Sequence, residues 1–379
     1  MPNNPITTIP ELHEHLKVAM QLEHATIPPY LLALYTIRPD TNLEATRILR
    51  TVVVEEMLHL TLAANIFNAV GGTPDLIAPD FVPKYPAHLP DGETDFKVSL
   101  RPFSCAALDT FLDIERPRKA PTPDKRMIHK GARRFAFSLQ HPDDPKHELA
   151  YYSIGEFYEA IADGLRYLNN EHCKGGSPLF RDKNQVGPKY YYSGGAHLIE
   201  VNDLKTALKA IDTIIQQGEG FDREDGGGFI RSIVTDDGEL SHDFRFEQLK
   251  LGRYYLTKNA EGKPDKPGHP TGPELKVDWD AVYPTKVNAK LTDYTDYPEL
   301  HAAAVAFNRE YFCFLRLLNS AYNGQPNLLL TDLVPKMFAL RNLMLQLIHV
   351  PMPGMTGFNA APTFEMPSEE ITCPEKVTQ

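Results

Sequence analysis

Glu56-Met57-Leu58-His59 places a carboxylate and an imidazole three residues apart. On a helix that spacing sets both on one face, one turn apart, where both can reach a single cation. The surrounding pattern decides which face. Leu49, Val52, Glu56, His59, Ala63 and Ile66 follow alternating steps of three and four, so the pair rides on the apolar stripe and not on the wet side. Leu16, Met20, Glu23 and Ile27 do the same, which turns Glu23 inward. Ionisable groups on a buried stripe are costly unless they are paired or ligate a metal. Metal binding and a buried ion pair are the two readings of this half.

The second half of the chain offers matching groups. Glu156 follows Ser153, where Ser153-x-x-Glu156 can form a capping box, and the Phe157, Ile161, Leu165 stripe leaves Glu156 off its centre. His242 has two carboxylates competing to accompany it. Glu239 has the Glu-x-x-His spacing, whereas Glu219 continues the Leu208, Ile211, Ile215 stripe and would be separated from His242 by an insertion, Gly220 to Gly238. The candidate ligands are therefore Glu23, Glu56, His59, Glu156, Glu219 and His242, with Glu239 as the alternative to Glu219. One Glu from each of two helices, with a Glu and a His from each of two others, is a set that holds two metal ions inside a four-helix bundle. Carboxylates neutralise two divalent cations, and one nitrogen ligand per ion leaves positions open for oxygen. Two iron ions are the expected cofactor, with manganese or a mixed pair as alternatives.

The elements that must position these groups are legible in outline. Two long helices fill the first seventy residues, the first opening at Pro10 and carrying Pro28-Pro29, where a kink is expected, the second capped by Asn42 and stopped at Gly71-Gly72. Residues 73–145 read as a proline-rich excursion outside the bundle, with a short strand at Phe96–Leu100 and a short helix over Ala106–Ile114. Helices are expected from Ser153, over about Val201–Gln217 and from about Glu239 to Tyr255, then over Glu299–Tyr322 and Asn327–Ile348. The fold class is mainly α, a four-helix bundle with long irregular insertions and extra C-terminal helices. Residues 1–255 are expected to form the bundle, with an insertion at 73–150, and 256–379 a helical extension packed on it.

The quoted segments carry a resemblance. Leu22-Glu23-His24-Ala25-Thr26-Ile27-Pro28-Pro29-Tyr30-Leu31, followed by Glu55-Glu56-Met57-Leu58-His59, resembles the ferritin-like domain of the iminophenyl-pyruvate dimer synthase type. That domain occurs in enzymes of violacein and indolocarbazole biosynthesis and in stand-alone proteins. Ile154-Gly155-Glu156-Phe157-Tyr158, Gln217-Gly218-Glu219-Gly220 and Ser241-His242-x-x-Arg245-Phe246 resemble later blocks of the same family. The resemblance implies a ferritin-like bundle and ligand roles for Glu23, Glu56, His59, Glu156, Glu219 and His242. It names no substrate.

Composition narrows the function. Over 379 residues, 42% hydrophobic and 23% charged content excludes a wholly disordered chain. A net charge of −11 argues against a nucleic-acid partner. No secretory signal and no membrane-spanning run is visible, so a soluble, cytoplasmic protein is expected. Cys105, Cys173, Cys313 and Cys373 are far apart and read as buried free thiols. Three functions fit: an O2-dependent di-iron oxidoreductase acting on a small organic, amino-acid-derived or aromatic, substrate; a non-enzymatic metal-binding protein; or a structural bundle with a degenerate site. The long insertions and two added helices favour the enzyme, since storage needs only the bare bundle. Small-molecule substrate and O2 are the expected partners, and a homo-oligomer is left open.

Overall fold

The computed structural model describes residues 5–92, 94–117, 151–192, 198–223, 229–231, 235, 238–256, 258, 270–367 and 373. Four long helices make the bundle: α1 (Ile9–Thr36), α2 (Leu43–Ala69), α4 (Ile154–Lys174) and α5 (Leu204–Glu219). α1 packs along α2 and α4 along α5, and the pairs meet through α1 against α4 and α2 against α5. Two shorter helices, α3 (Cys105–Ile114) and α6 (His242–Leu251), pack on each other, and α6 also on α2 and α5. The C-terminal pair, α7 (Pro298–Tyr322) and α8 (Val334–Ile348), is preceded at α8 by a π-helical turn, Leu329–Leu333. A two-stranded antiparallel hairpin, β1 (Phe221–Arg223) with β2 (Phe229–Arg231), follows α5.

α1 starts on a capping box in which Thr8 accepts from the Glu11 amide and the Glu11 carboxylate accepts from the Thr8 amide. It then runs unbroken through Pro28 and Pro29. Pro29 has no N–H to offer the carbonyl of Ala25, four residues back. The Tyr85 hydroxyl donates to that carbonyl at 2.8 Å and takes over the missing bond. A residue from the first excursion thus supplies the donor that Pro29 lacks.

Several expectations are corrected. Asn42 precedes α2 but adopts φ 43° and makes no cap; its side chain instead exchanges hydrogen bonds with the Asp278 backbone, N–H and C=O. Phe96–Leu100 forms no strand, only the isolated bridge between Ala87 and Val98. α6 begins at His242 and not at Glu239. The excursion after α2, expected outside the bundle, contributes none of its four helices but packs into the hydrophobic core: Leu76, Phe81, Val82, Tyr85, Leu89, Phe103, Leu108 and Phe111 are buried, while 118–145 lies outside the described residues. The thiols also differ from expectation. Cys313 of α7 is buried and disulfide-bonded to Cys373, whereas Cys105 and Cys173 are free and exposed.

α7 is tied to the bundle by polar contacts: the Tyr322 and Thr61 hydroxyls lie 2.9 Å apart, the Asn68 amide donates to the Tyr322 carbonyl at 2.8 Å, and the Tyr311 hydroxyl lies 2.7 Å from His24 Nε2. Among the described residues no helix is long and apolar enough to cross a membrane.

The proline break gives a stability test. Tyr85→Phe keeps the ring and strips the hydroxyl, leaving the Ala25 carbonyl buried without its donor. A loss of about 1–3 kcal/mol is expected in denaturant unfolding. A loss below about 0.5 kcal/mol would show that the helix tolerates its two prolines unaided.

Candidate metal centre

Five ionisable side chains, each at most 3% exposed, converge from four helices: Glu23 on α1, Glu56 and His59 on α2, Glu115 directly after α3, and His242 at the first position of α6. They form two groups that share Glu56. Glu23, Glu56 and His59 offer donor atoms all within 4.8 Å of one another, and so do Glu56, Glu115 and His242. A cation about 2.0–2.2 Å from each donor holds them within roughly 4.4 Å of one another, close to the spacing found.

Both imidazoles turn Nδ1 toward the carboxylates. His59 Nδ1 is 3.5 Å from Glu23 Oε2, and His242 Nδ1 is 2.9 Å from Glu56 Oε1 and 3.5 Å from Glu115 Oε1. The rings stack with centroids 5.5 Å apart. The far nitrogens are held from outside: His59 Nε2 lies 2.8 Å from Gln217 Oε1, and His242 Nε2 lies 3.0 Å from Glu55 Oε2. Arg245 in turn clamps Glu55 with both terminal nitrogens. Each carboxylate also accepts one hydroxyl, from Tyr158 onto Glu23 at 2.5 Å, Thr26 onto Glu56 at 2.8 Å and Tyr30 onto Glu115 at 2.7 Å.

This donor set fits cations. His242 Nδ1 is fully buried and makes no well-formed hydrogen bond, although two carboxylates lie beside it. Buried polar atoms are rarely left so. A lone pair directed at a cation would need no hydrogen bond, and Nε2 held by Gln217 or Glu55 fixes the tautomer that exposes Nδ1.

The electrostatics point the same way. Burial, then the charge of Glu115, pushes the Glu56 carboxyl up to about 7. Burial works against protonating His242, but Glu115, Glu55 and Glu56 outweigh it and raise its pKa. Burial likewise opposes His59, and Glu23 raises it. Glu55 is the exception. Burial disfavours its charge, yet His242 and Arg245 hold its carboxyl down to about 2.

The sequence model described as Ferritin-like matches residues 16–251 of this chain. The chain belongs to the Ferritin-like family. Dichlorochromopyrrolate synthase from Lentzea aerocolonigenes is 24% identical over 428 residues, an alignment that spans 98% of this chain and 37% of that protein. The chain thus spans little more than a third of the length of this curated relative. A ferritin-like protein from Caulobacter vibrioides, known from its crystal structure, has the same fold: TM-score 0.58 and 23% identity, covering 90% of this chain and 96% of that one.

Within this ferritin-like bundle the anticipated residues divide. Glu23, Glu56, His59 and His242 are gathered into the two groups; Glu156, Glu219 and Glu239 are not. Glu156 sits in the first turn of α4, where its amide donates to Ser153 Oγ and its carboxylate accepts from the Tyr152 amide. Ser153 caps the helix as anticipated, but the reciprocal half of the capping box is replaced by the Tyr152 amide, one residue before the cap. From the same helix it is Tyr158 that reaches Glu23. Glu219 is buried at the end of α5, and its Oε1 accepts from the Gly155 amide at 2.6 Å, tying α5 to the first turn of α4. A Cβ at Gly155 would lie 2.6 Å from Glu219 Oε2, so that position has no room for a side chain. Glu239 precedes α6, its side chain is 67% exposed, and it lies 3.9 Å from Arg245. The one-turn spacing to His242 does not apply because no helix joins the two.

Glu115 was not anticipated. Its signal is the same one that marks Glu23: Leu108, Phe111 and Glu115 are spaced three and four, so the carboxylate continues the buried stripe of α3. Assigning 73–145 to an excursion hid it. Gln217, Glu55 and Arg245 carry no spacing signal of their own and become visible only when the histidines are placed.

Two tests follow from this geometry. Glu115→Ala should lower bound metal by about one ion per chain, whereas Glu156→Gln and Glu239→Gln should leave it unchanged, read by elemental analysis. The opposite pattern would return the sequence-based ligand set. The second test concerns pH. A cation must displace the protons that Glu56, His59 and His242 hold in the metal-free site, so affinity should fall as pH falls, about tenfold per unit of pH for each proton displaced, with Glu56 contributing below about 7. The raised Glu56 carboxyl stabilises the metal-free fold at low pH, a contribution lost as pH rises from 4.5 through about 7. The raised histidines keep theirs up to 6.5 and lose it only above that, as pH passes through their raised values. The gain in melting temperature on adding metal should therefore grow between pH 5.5 and 7.5. A gain that is flat or shrinks over that range would contradict the protonation pattern.

Proposed function

We propose that the chain holds two iron ions, one in each donor group, and oxidises a small organic substrate with O2; manganese or a mixed pair is the alternative content. The observation that carries the reading is the pair of buried Glu/Glu/His groups sharing Glu56, each with its histidine fixed from behind. Bound iron would supply the redox chemistry with O2. The chain's own residues bury the site away from water, orient both Nδ1 atoms, and pin one oxygen of each carboxylate with a hydroxyl.

The class of substrate is supported by the relative named dichlorochromopyrrolate synthase, an enzyme named for a small organic product. Amino-acid-derived and aromatic compounds are the candidates. A pocket of about 50 Å³, partly open to solvent, is lined by Arg47, Ile48, Thr51, Glu239, Leu240, Arg245 and Gln248; Arg245, which holds Glu55, is its link to the residues behind the centre.

Reconstitution of the metal-free protein with Fe(II) should give close to two ions per chain and O2 uptake that rises when a true substrate is added. His59→Ala should lose most of that uptake while keeping the helical circular dichroism. Fewer than one ion per chain would sink the proposal. Two ions without any substrate-stimulated uptake would favour a metal-binding protein that is not an enzyme.

A further inference from the structure

We propose that the two metal positions are unequal and fill in order, the one at His242 first, because His242 is backed by a carboxylate and His59 by an amide. This rests on the reading that both donor groups bind cations. Apart from the backing residue the two positions match closely. Each takes one imidazole through Nδ1, shares Glu56, and adds one further glutamate. Each of those glutamates accepts a tyrosine hydroxyl, Tyr158 on Glu23 and Tyr30 on Glu115.

The difference lies behind the rings. His59 Nε2 meets the neutral Oε1 of Gln217 at 2.8 Å. His242 Nε2 meets Oε2 of Glu55 at 3.0 Å, and Arg245 grips both oxygens of that carboxylate. A carboxylate accepting the far N–H draws the proton outward and leaves more electron density on the ligating nitrogen than a carbonyl does. The guanidinium fixes the carboxylate in place; its side chain is 6% exposed, so water does not loosen the clamp. Glu55 and Arg245 are positioning residues that act on the cation through His242. Partners of this kind are worth about 10–100-fold in metal affinity.

The test is a titration of the full-length, metal-stripped protein with Co(II), followed by visible absorption and calorimetry. Two binding steps at least tenfold apart are expected. His242→Ala should abolish the tight step and His59→Ala the weak one. Glu55→Gln should weaken the tight step 10- to 100-fold and leave the weak step where it was, a selectivity that general loosening of the fold would not show. Because Glu55→Gln takes from Arg245 the carboxylate it grips most closely, Gln217→Glu provides an independent arm: it should strengthen the weak step and bring the two together. Two equal steps in the natural protein, survival of the tight step in His242→Ala, or equal shifts of both steps in Glu55→Gln would overturn the ordering alone. Absence of any Co(II) binding would overturn the metal centre and the ordering together.

Discussion

Three buried glutamates, two of them each within reach of the third, Glu56, are the constraint around which this molecule is organised. Glu23, Glu56 and Glu115 lie in a core where an isolated carboxylate is strongly disfavoured. Two imidazoles can each hold a proton against them, and Glu56 can hold one itself, as its elevated pKa records. Protons thus give one solution to the charge problem. Two divalent cations give the other, with four positive charges against the three negative ones of Glu23, Glu56 and Glu115. The fold suits both states, because the same atoms that would ligate a cation form the ion pairs of the metal-free site.

Keeping such a cluster buried requires the surrounding helices to be pinned at the points where they are weakest. α1 carries Pro28 and Pro29 between one and two turns beyond Glu23, and the Ala25 carbonyl that Pro29 cannot serve is taken by Tyr85. α5 ends at Glu219, whose carboxylate spans to the first turn of α4 through the Gly155 amide, where the positive end of the helix dipole also favours it. At Gly218 a Cβ would come within 3.3 Å of Glu115 Oε2, so the Gly218-Glu219 pair lets the end of α5 approach the centre closely. The residues nearest the cluster are thus chosen for approach and for hydrogen bonding, and the bulk of the packing lies further out.

How much of this could be read from the chain depends on continuity. In α1 and α2 each candidate sits within a long apolar stripe on an uninterrupted helix, and the phase of the stripe puts Glu23, Glu56 and His59 on the buried face where they are found. The later donors come from helix ends. Glu115 follows a ten-residue helix and His242 opens another, so a rule that looks one turn back from His242 finds Glu239, which is not on the helix at all. Glu219 has the right phase and the right burial, but its carboxylate is used to join two helices. Phase tells which residues face inward; it does not tell which inward-facing groups meet. The Cys313–Cys373 link escaped for a related reason, since sixty residues of intervening chain give no local signal.

The use of helix ends also explains why α4, although it lies against α1 in the bundle, gives the centre a phenol and no carboxylate. With Glu115 already supplied from α3, a fourth glutamate on α4 would add one more buried negative charge to a cluster that already holds three. Tyr158 fills that position as a donor, and Tyr30 and Thr26 do the same for the other two carboxylates. Each hydroxyl stabilises the ionised form of its partner. Each also occupies one oxygen of its carboxylate and limits the ways in which that group can turn. Three hydroxyls on three carboxylates therefore do the work of orientation that a further carboxylate from α4 would otherwise have done, without adding to the charge that the core must accommodate.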